Sequence, residues 1–265
     1  MYARSTTVYG SPQSVDEAIA YLRDEVMPTV AETDGCIGLS MFCDRDSGRS
    51  IATTAWRDEE AMHNSEHEFF EMRRRFAEIA GGRAEVLEWE IAVLHRVHAA
   101  PEGACCRVIW GRGDPLEEER VRDAFRMTMV SRLEELPGFC SVSVLADRET
   151  GRSATAVVYE SRAAMYGATE GARPMREEFS RQMGVDITEV AEFDVVLAHL
   201  RVPETVLRGL QPGSRPACPS SRSRTGASPD TGTTGPKMAL RASGAPAAKP
   251  SPNSRHACAS TGSTS

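Results

Sequence analysis

Lysine is missing from residues 1–207; the chain's two lysines, Lys237 and Lys249, both lie beyond. Neither a Schiff-base lysine nor the lysine of a phosphate-binding loop is available to that part. A glycine-rich phosphate loop, a nucleophile elbow and a zinc-ligand signature are also absent. The seven cysteines (Cys36, Cys43, Cys105, Cys106, Cys140, Cys218 and Cys258) are odd in number and show no metal-type spacing. No apolar run approaches the roughly 20 residues of a membrane helix. The N-terminus enters a polar, alternating segment without a signal-peptide pattern. The expectation is a cytoplasmic protein with no membrane partner and with reduced, mostly buried thiols. Charge is uneven. Residues 1–207 hold 23 arginines against 37 acids, whereas residues 208–265 hold eight basic residues against one acid. An acidic folded part excludes nucleic acid as its main partner, since phosphate neutralisation needs clustered cations.

What is present is a long repeat. Residues 34–62, DGCIGLSMFCDRDSGRSIATTAWRDEEAM, return 103 positions later as residues 137–165, PGFCSVSVLADRETGRSATAVVYESRAAM. Gly35 meets Gly138, Asp44-Arg45 meets Asp147-Arg148, Gly48-Arg49-Ser50 meets Gly151-Arg152-Ser153, and Ala61-Met62 meets Ala164-Met165. A period near 100 residues is too long for a solenoid unit and matches a small duplicated domain.

Periodicity gives each copy the same element order. In the first, residues 1–9 alternate as a strand. Residues 14–29 predict a helix, with Ser14 as N-cap and Glu17 completing a capping box. Residues 36–44 and 49–56 form a hairpin around Asp46-Ser47-Gly48. Asp58 caps a second helix over 59–79. Residues 84–95 are the last strand, with Leu87, Trp89, Ile91 and Val93 on one face. In the second copy the strands fall at 105–112, 139–147, 153–159 and 186–199, the last with Phe193, Val195 and Leu197 on one face. The helices fall at 117–133 and 161–182, the latter interrupted near Gly171 and Pro174. The offset becomes 104 before the final strand.

The order β-α-β-β-α-β is the ferredoxin-like arrangement, an antiparallel sheet with both helices on one face. Its bare apolar face needs a partner, which a second copy supplies. The predicted fold is α+β: ferredoxin-like domains at 1–97 and 105–203, joined by 98–104 and packed sheet to sheet. The Ser-, Pro-, Gly- and Arg-rich residues 208–265 form a low-complexity tail with little to bury, expected to be disordered. Its vocabulary fits either an ordinary basic tail or a frameshifted GC-rich reading frame.

This element order, Asp34-Gly35 before the second strand, and Ala55-Trp56 followed by Glu60-Ala61-Met62 resemble the antibiotic biosynthesis monooxygenase domain family of the dimeric α/β-barrel superfamily. Pro137-Gly138, Val158-Tyr159 and Ala163-Ala164-Met165 are the looser second match. The resemblance covers residues 1 to about 203. It implies an intrachain pseudo-dimer, open to further self-association, with a pocket between sheet and helices in each domain. It also implies a cofactor-independent monooxygenase acting on a small aromatic or polyketide-type molecule. The alternatives are a non-catalytic small-molecule-binding or stress-response barrel, or an assembly module. The haem-degrading branch needs an Asn, a second Trp and a His where this chain has Thr6-Thr7, Asn64 and Arg75, which argues against haem.

Equivalent pairs nominate the site. His95 and His199, near the ends of the fourth strands, are candidate bases that would generate a substrate carbanion for reaction with O₂; the alternative is a structural histidine at a strand end. Arg4 and Arg107 could bind a phenolate or carboxylate, or form ion pairs with Glu88 or Glu90 and with Glu192 or Asp194. Trp56 and Tyr159, Trp89 (equivalent to Phe193) and the unmatched Trp110 could stack on a flat substrate, or pack the core. His63 and His67 have i, i+4 metal spacing, but Tyr166 and Glu170 replace them in the second copy, so no metal is assigned. Cys105 and Cys106, adjacent on a strand, face opposite ways.

Overall fold

The computed structural model describes residues 1–200, so the expectations for residues 201–265, including the tail, fall outside the described residues. Eight strands carry the fold: β1 (Tyr2–Tyr9), β2 (Cys36–Cys43), β3 (Arg49–Trp56), β4 (Arg83–Arg96), β5 (Cys105–Arg112), β6 (Phe139–Asp147), β7 (Arg152–Tyr159) and β8 (Asp186–Leu200). They close into a barrel in the order β1-β3-β2-β8-β5-β7-β6-β4. The first copy supplies β4-β1-β3-β2 and the second β8-β5-β7-β6, each the predicted antiparallel sheet. The last strands, of 14 and 15 residues, outrun their own sheets. β4 continues onto β6 and β8 onto β2. Facing sheets thus become one closed barrel in which every strand is paired on both sides, so no open edge invites another chain.

That crossing corrects one expectation. Leu87, Trp89 and Ile91 face the barrel interior, but Val93 belongs to the core beneath the second copy's helices. A register shift between Ile91 and Val93 inserts one residue and turns the strand over. A second shift does the same in β8, where Val195 packs inside the barrel and Leu197 against the first copy's core. Each long strand changes the layer it serves as it changes sheets.

The helices cover the outside. The first copy has α1 (Val15–Tyr21) and α2 (Met27–Glu32) joined by a π turn at Leu22–Val26, then α3 (Glu59–Asn64) and α4 (Glu66–Ala80). The second has α5 (Glu118–Ala124) and α6 (Val130–Glu134) around a π turn at Phe125–Met129, then α7 (Arg162–Gly167) and α8 (Thr169–Met183). Ser14 does not cap α1. The chain enters through a 3₁₀ turn at Pro12–Ser14, which gives Ser14 a helical backbone (φ −93°, ψ −4°) unsuited to a cap. Asp58 does cap α3, accepting from the Ala61 N–H at 2.8 Å, and Ser161 caps α7. The break in the last helical stretch falls at Ala168, the counterpart of Ser65, while Gly171 and Pro174 lie inside α8. The repeated Gly and Ala have a steric basis: Gly35 and Gly138 take φ of +77° and +68°, and a Cβ there would lie 2.5 Å from the Cβ of Ala61 and Ala164.

Candidate functional site: one open cavity in a duplicated fold

A cavity lies between sheet and helices in each copy, about 30 Å³ in the first and about 150 Å³ in the second. A third space, of about 420 Å³, fills the barrel interior. The difference between the equivalent cavities traces to single positions of the repeat. In the first copy Phe69 is buried, with its ring edge-on to Trp56 at 5.3 Å between centroids. Its counterpart 103 residues on is Ala172, and Trp56 becomes Tyr159. Removing one ring and shrinking the other leaves the space that Phe125, Met129, Met175 and Phe179 line.

A second exchange alters the charge. In the first copy Arg4 and Arg73 share two carboxylates. Glu66 binds Arg4 Nη1 at 2.9 Å and Arg73 Nη2 at 2.5 Å, and Glu88 binds Arg4 Nη2 at 2.6 Å. Against the effect of its burial, hydrogen bonds from Arg4 and His63 hold Glu88 below the usual carboxylate range. In the second copy Arg107 and Arg176 occupy the equivalent places and Glu192 replaces Glu88, but Thr169 stands where Glu66 was. Arg107 binds Glu192 Oε1 (2.7 Å) and Thr169 Oγ1 (3.0 Å). Arg176 forms no ion pair among the described residues, and its Nε is buried without a partner. Burial first, then the neighbouring Arg107, pulls its pKa down. Two guanidinium groups thus face one carboxylate, and an anion in the cavity would relieve the imbalance. Burial pushes the Tyr159 phenol up against the opposing pull of Arg107 and Arg176. Farther along the lining, both oxygens of Glu118 are buried without a hydrogen-bond donor, and its ion contacts are long, 3.5 Å to Arg148 and 3.7 Å to Arg122. Unpartnered buried polar atoms are uncommon in folded proteins, and here Glu118, Arg122 and Arg176 gather around one space.

The nominated residues divide among different places. Arg107 and Tyr159 line the second-copy cavity, and Arg4 lines the small first-copy one. Trp89, Trp110 and His199 line the barrel interior. Trp56 is first-copy core. His95 crosses with β4 to lie under the second copy's helices, stacked on Phe139 (6.4 Å between centroids), with Nε2 2.5 Å from Glu134 Oε1 but poorly aligned for a hydrogen bond. It borders none of the three spaces, whereas the exposed His199 lines the barrel interior. His63 binds Glu88. Arg176, Ala172 and Thr169 were not singled out from sequence, although aligning α8 on α4 exposes the Glu-to-Thr and Phe-to-Ala exchanges. The five described thiols are buried; burial pushes Cys43 and Cys140 up to about 11, and Cys106 higher still.

The profile of the antibiotic biosynthesis monooxygenase family matches residues 1–69. Two uncharacterized proteins of Mycobacterium tuberculosis strain H37Rv are close in sequence. Rv2558 is 44% identical over 207 residues, 78% of this chain and 88% of that protein, and Rv2557 is 41% identical over 206 residues, 78% and 92%. The chain belongs to the antibiotic biosynthesis monooxygenase family. Among solved structures, a candidate monooxygenase from Lactobacillus acidophilus NCFM superposes with a TM-score of 0.58 at 11% identity, covering 76% of this chain and 96% of its own. An anthrone oxidase-like protein superposes at 0.54 and 16%, covering 77% and 95%. These likenesses establish the ferredoxin-like α+β fold shared across the family. The family profile matches within the first copy, whereas the larger helix-side cavity lies in the second. Among the described residues no helix is long and apolar enough to cross a membrane.

Proposed function

We propose that the second copy binds a small aromatic or polyketide-type molecule as its phenolate or enolate and promotes its oxygenation without a cofactor. The first copy, with its cavity filled by Phe69, serves as structural partner. The division into units at 1–97 and 105–203, linked by 98–104, is part of this proposal. The observation that carries it is the paired exchange at equivalent positions, Phe69 to Ala172 and Glu66 to Thr169. Together they open the cavity and leave Arg176 without an ion pair among the described residues. Membership of a family named for monooxygenases, and the fold shared with an anthrone oxidase-like protein, support the reaction type.

Oxygenation without metal or flavin needs an electron-rich, deprotonated substrate. Arg107 and Arg176 would stabilise that anion, and the apolar walls would exclude water from it. Glu118, whose two carboxyl oxygens are buried in the lining without a hydrogen-bond donor, would take the proton. For an anthrone-type substrate, loss of a proton from the ring CH₂ gives a carbanion. It adds O₂ to form a hydroperoxide, and loss of water leaves a carbonyl: CH₂ plus O₂ becomes C=O plus H₂O.

Oxygen uptake by the full chain with anthrone and naphthol probes, without added metal or flavin, tests this. Arg176→Gln and Ala172→Phe should each lower the rate at least tenfold, and Glu118→Gln should lower kcat more than it changes KM. His95→Ala and His199→Ala in the same assay separate the sequence-based choice of base from Glu118. Unchanged uptake in both Arg176→Gln and Ala172→Phe would refute the proposal.

A further inference from the structure

The barrel interior has no assigned role. Its space of about 420 Å³ falls within the range of small-molecule sites, and exposed Tyr9, Glu85 and Arg112 connect it to solvent. Its walls combine apolar surface with inward hydroxyls such as Ser40 and Ser143. The ring of Trp89 is fixed by its Nε1 donating to Ser5 Oγ at 2.8 Å. At one side sits Arg49, whose side chain is 11% exposed. Its guanidinium lies 4.4 Å from the Trp110 ring centroid, 5.0 Å from Tyr9 and 5.6 Å from Phe193. It pairs with Glu189 and keeps a buried Nε without a partner.

The duplication makes this arrangement one-sided. Each copy contributes one Arg at the start of the second strand of its hairpin (Arg49 in β3, Arg152 in β7) and one Glu early in its long strand (Glu85, Glu189), all four lining the chamber. Arg49 of the first copy reaches Glu189 of the second. The reciprocal pair is not made, because Arg152 turns to Asp147 at 3.1 Å. Arg112 also lies in the lining, its Nε donating to the Thr150 carbonyl at 3.4 Å. From these features we infer that the barrel interior is a second ligand site, for a flat aromatic anion. Its charged group would meet the Arg49 Nε edge, its ring would lie along the aromatic and aliphatic walls, and peripheral oxygens would take hydrogen bonds from the serine hydroxyls. The site lies across the sheet from the helix-side cavity, the two linings sharing Gly111, Arg152 and Ser153.

Because the helix-side cavity also suits anions, the test uses the full chain carrying Ala172→Phe, which fills that cavity. Calorimetric titration with 2-naphthoate should then show one site per chain, with 2-naphthamide at least tenfold weaker. Adding Arg49→Gln should weaken 2-naphthoate at least tenfold. Ser143→Phe, which narrows the chamber from β6 without touching Arg49, should do the same and serves if Arg49→Gln does not fold. No binding to the Ala172→Phe chain, equal binding of acid and amide, or unaltered binding in the folded variants would each overturn the inference. Loss of oxygen uptake in Ala172→Phe with naphthoate still bound would support both sites separately.

Discussion

Phe69→Ala should be among the most destabilising single changes in the chain, and Ala172→Phe, its reciprocal at the equivalent position, should stabilise. Phe69 is 3% exposed and packs edge-on against Trp56. Truncating a buried Phe costs about 3–5 kcal/mol, combining lost transfer energy with the cavity left behind. The loss of the aromatic pair, about 0.5–1.5 kcal/mol, belongs within that range. About 4 kcal/mol is a large share of a typical stability of roughly 5–15 kcal/mol. In the second copy a phenyl ring enters a space of about 150 Å³. Burying it gains about 1.5–3 kcal/mol, and imperfect fit takes back about 1 kcal/mol or more. The net expectation is about 1–2 kcal/mol of stabilisation, with oxygen uptake lost. Urea unfolding followed by circular dichroism measures both. With a slope of about 2 kcal/mol per molar, Phe69→Ala lowers the midpoint by about 2 M and Ala172→Phe raises it by about 0.5–1 M. A loss below about 1 kcal/mol for Phe69→Ala, or clear destabilisation by Ala172→Phe, would refute the view that one ring distinguishes the two cavities.

The equivalent turn aspartates predict an acid-sensitive fold. Burial opposes the charge of Asp147, but hydrogen bonds from Thr150, Arg152 and the Glu149 N–H outweigh it and hold its carboxyl below the usual range; Asp44 is held likewise by Ser47 and the Asp46 N–H. A lowered folded-state pKa gives stability that is present above the unfolded value of about 3.9 and is lost as pH falls through the folded one. Asp147→Asn should therefore destabilise at pH 7 and lessen the loss between pH 5 and pH 2, as read by urea midpoints. Gly138→Ala should cost about 2 kcal/mol or more, because φ is +68° and the new Cβ would meet Ala164. In Gly138→Ala/Ala164→Gly the contact is relieved while the backbone strain persists, so part of the loss should return in the unfolding midpoint; no recovery would remove the contact from the explanation.

The duplication, the element order, the cap at Asp58 and the glycine turns were all legible in the sequence, because each depends on neighbouring residues or on the 103-residue repeat. So was the ion pair competing for Arg4 and Arg107, since cross-strand neighbours follow from register. The bulges in β4 and β8 were not. A single inserted residue leaves the apolar alternation looking continuous, and only the strand's need to serve two sheets shows where it turns over. That same crossing sends His95 beneath the opposite copy's helices while its counterpart His199 stays exposed, a separation that periodicity cannot register. The sequence by itself determined two ferredoxin-like copies of one family, because local pattern and a repeat suffice for that. Which copy keeps an open cavity, whether Arg176 meets a carboxylate among the described residues and what space the closed barrel encloses depended on side chains from distant strands and helices meeting, and only the tertiary structure decided them.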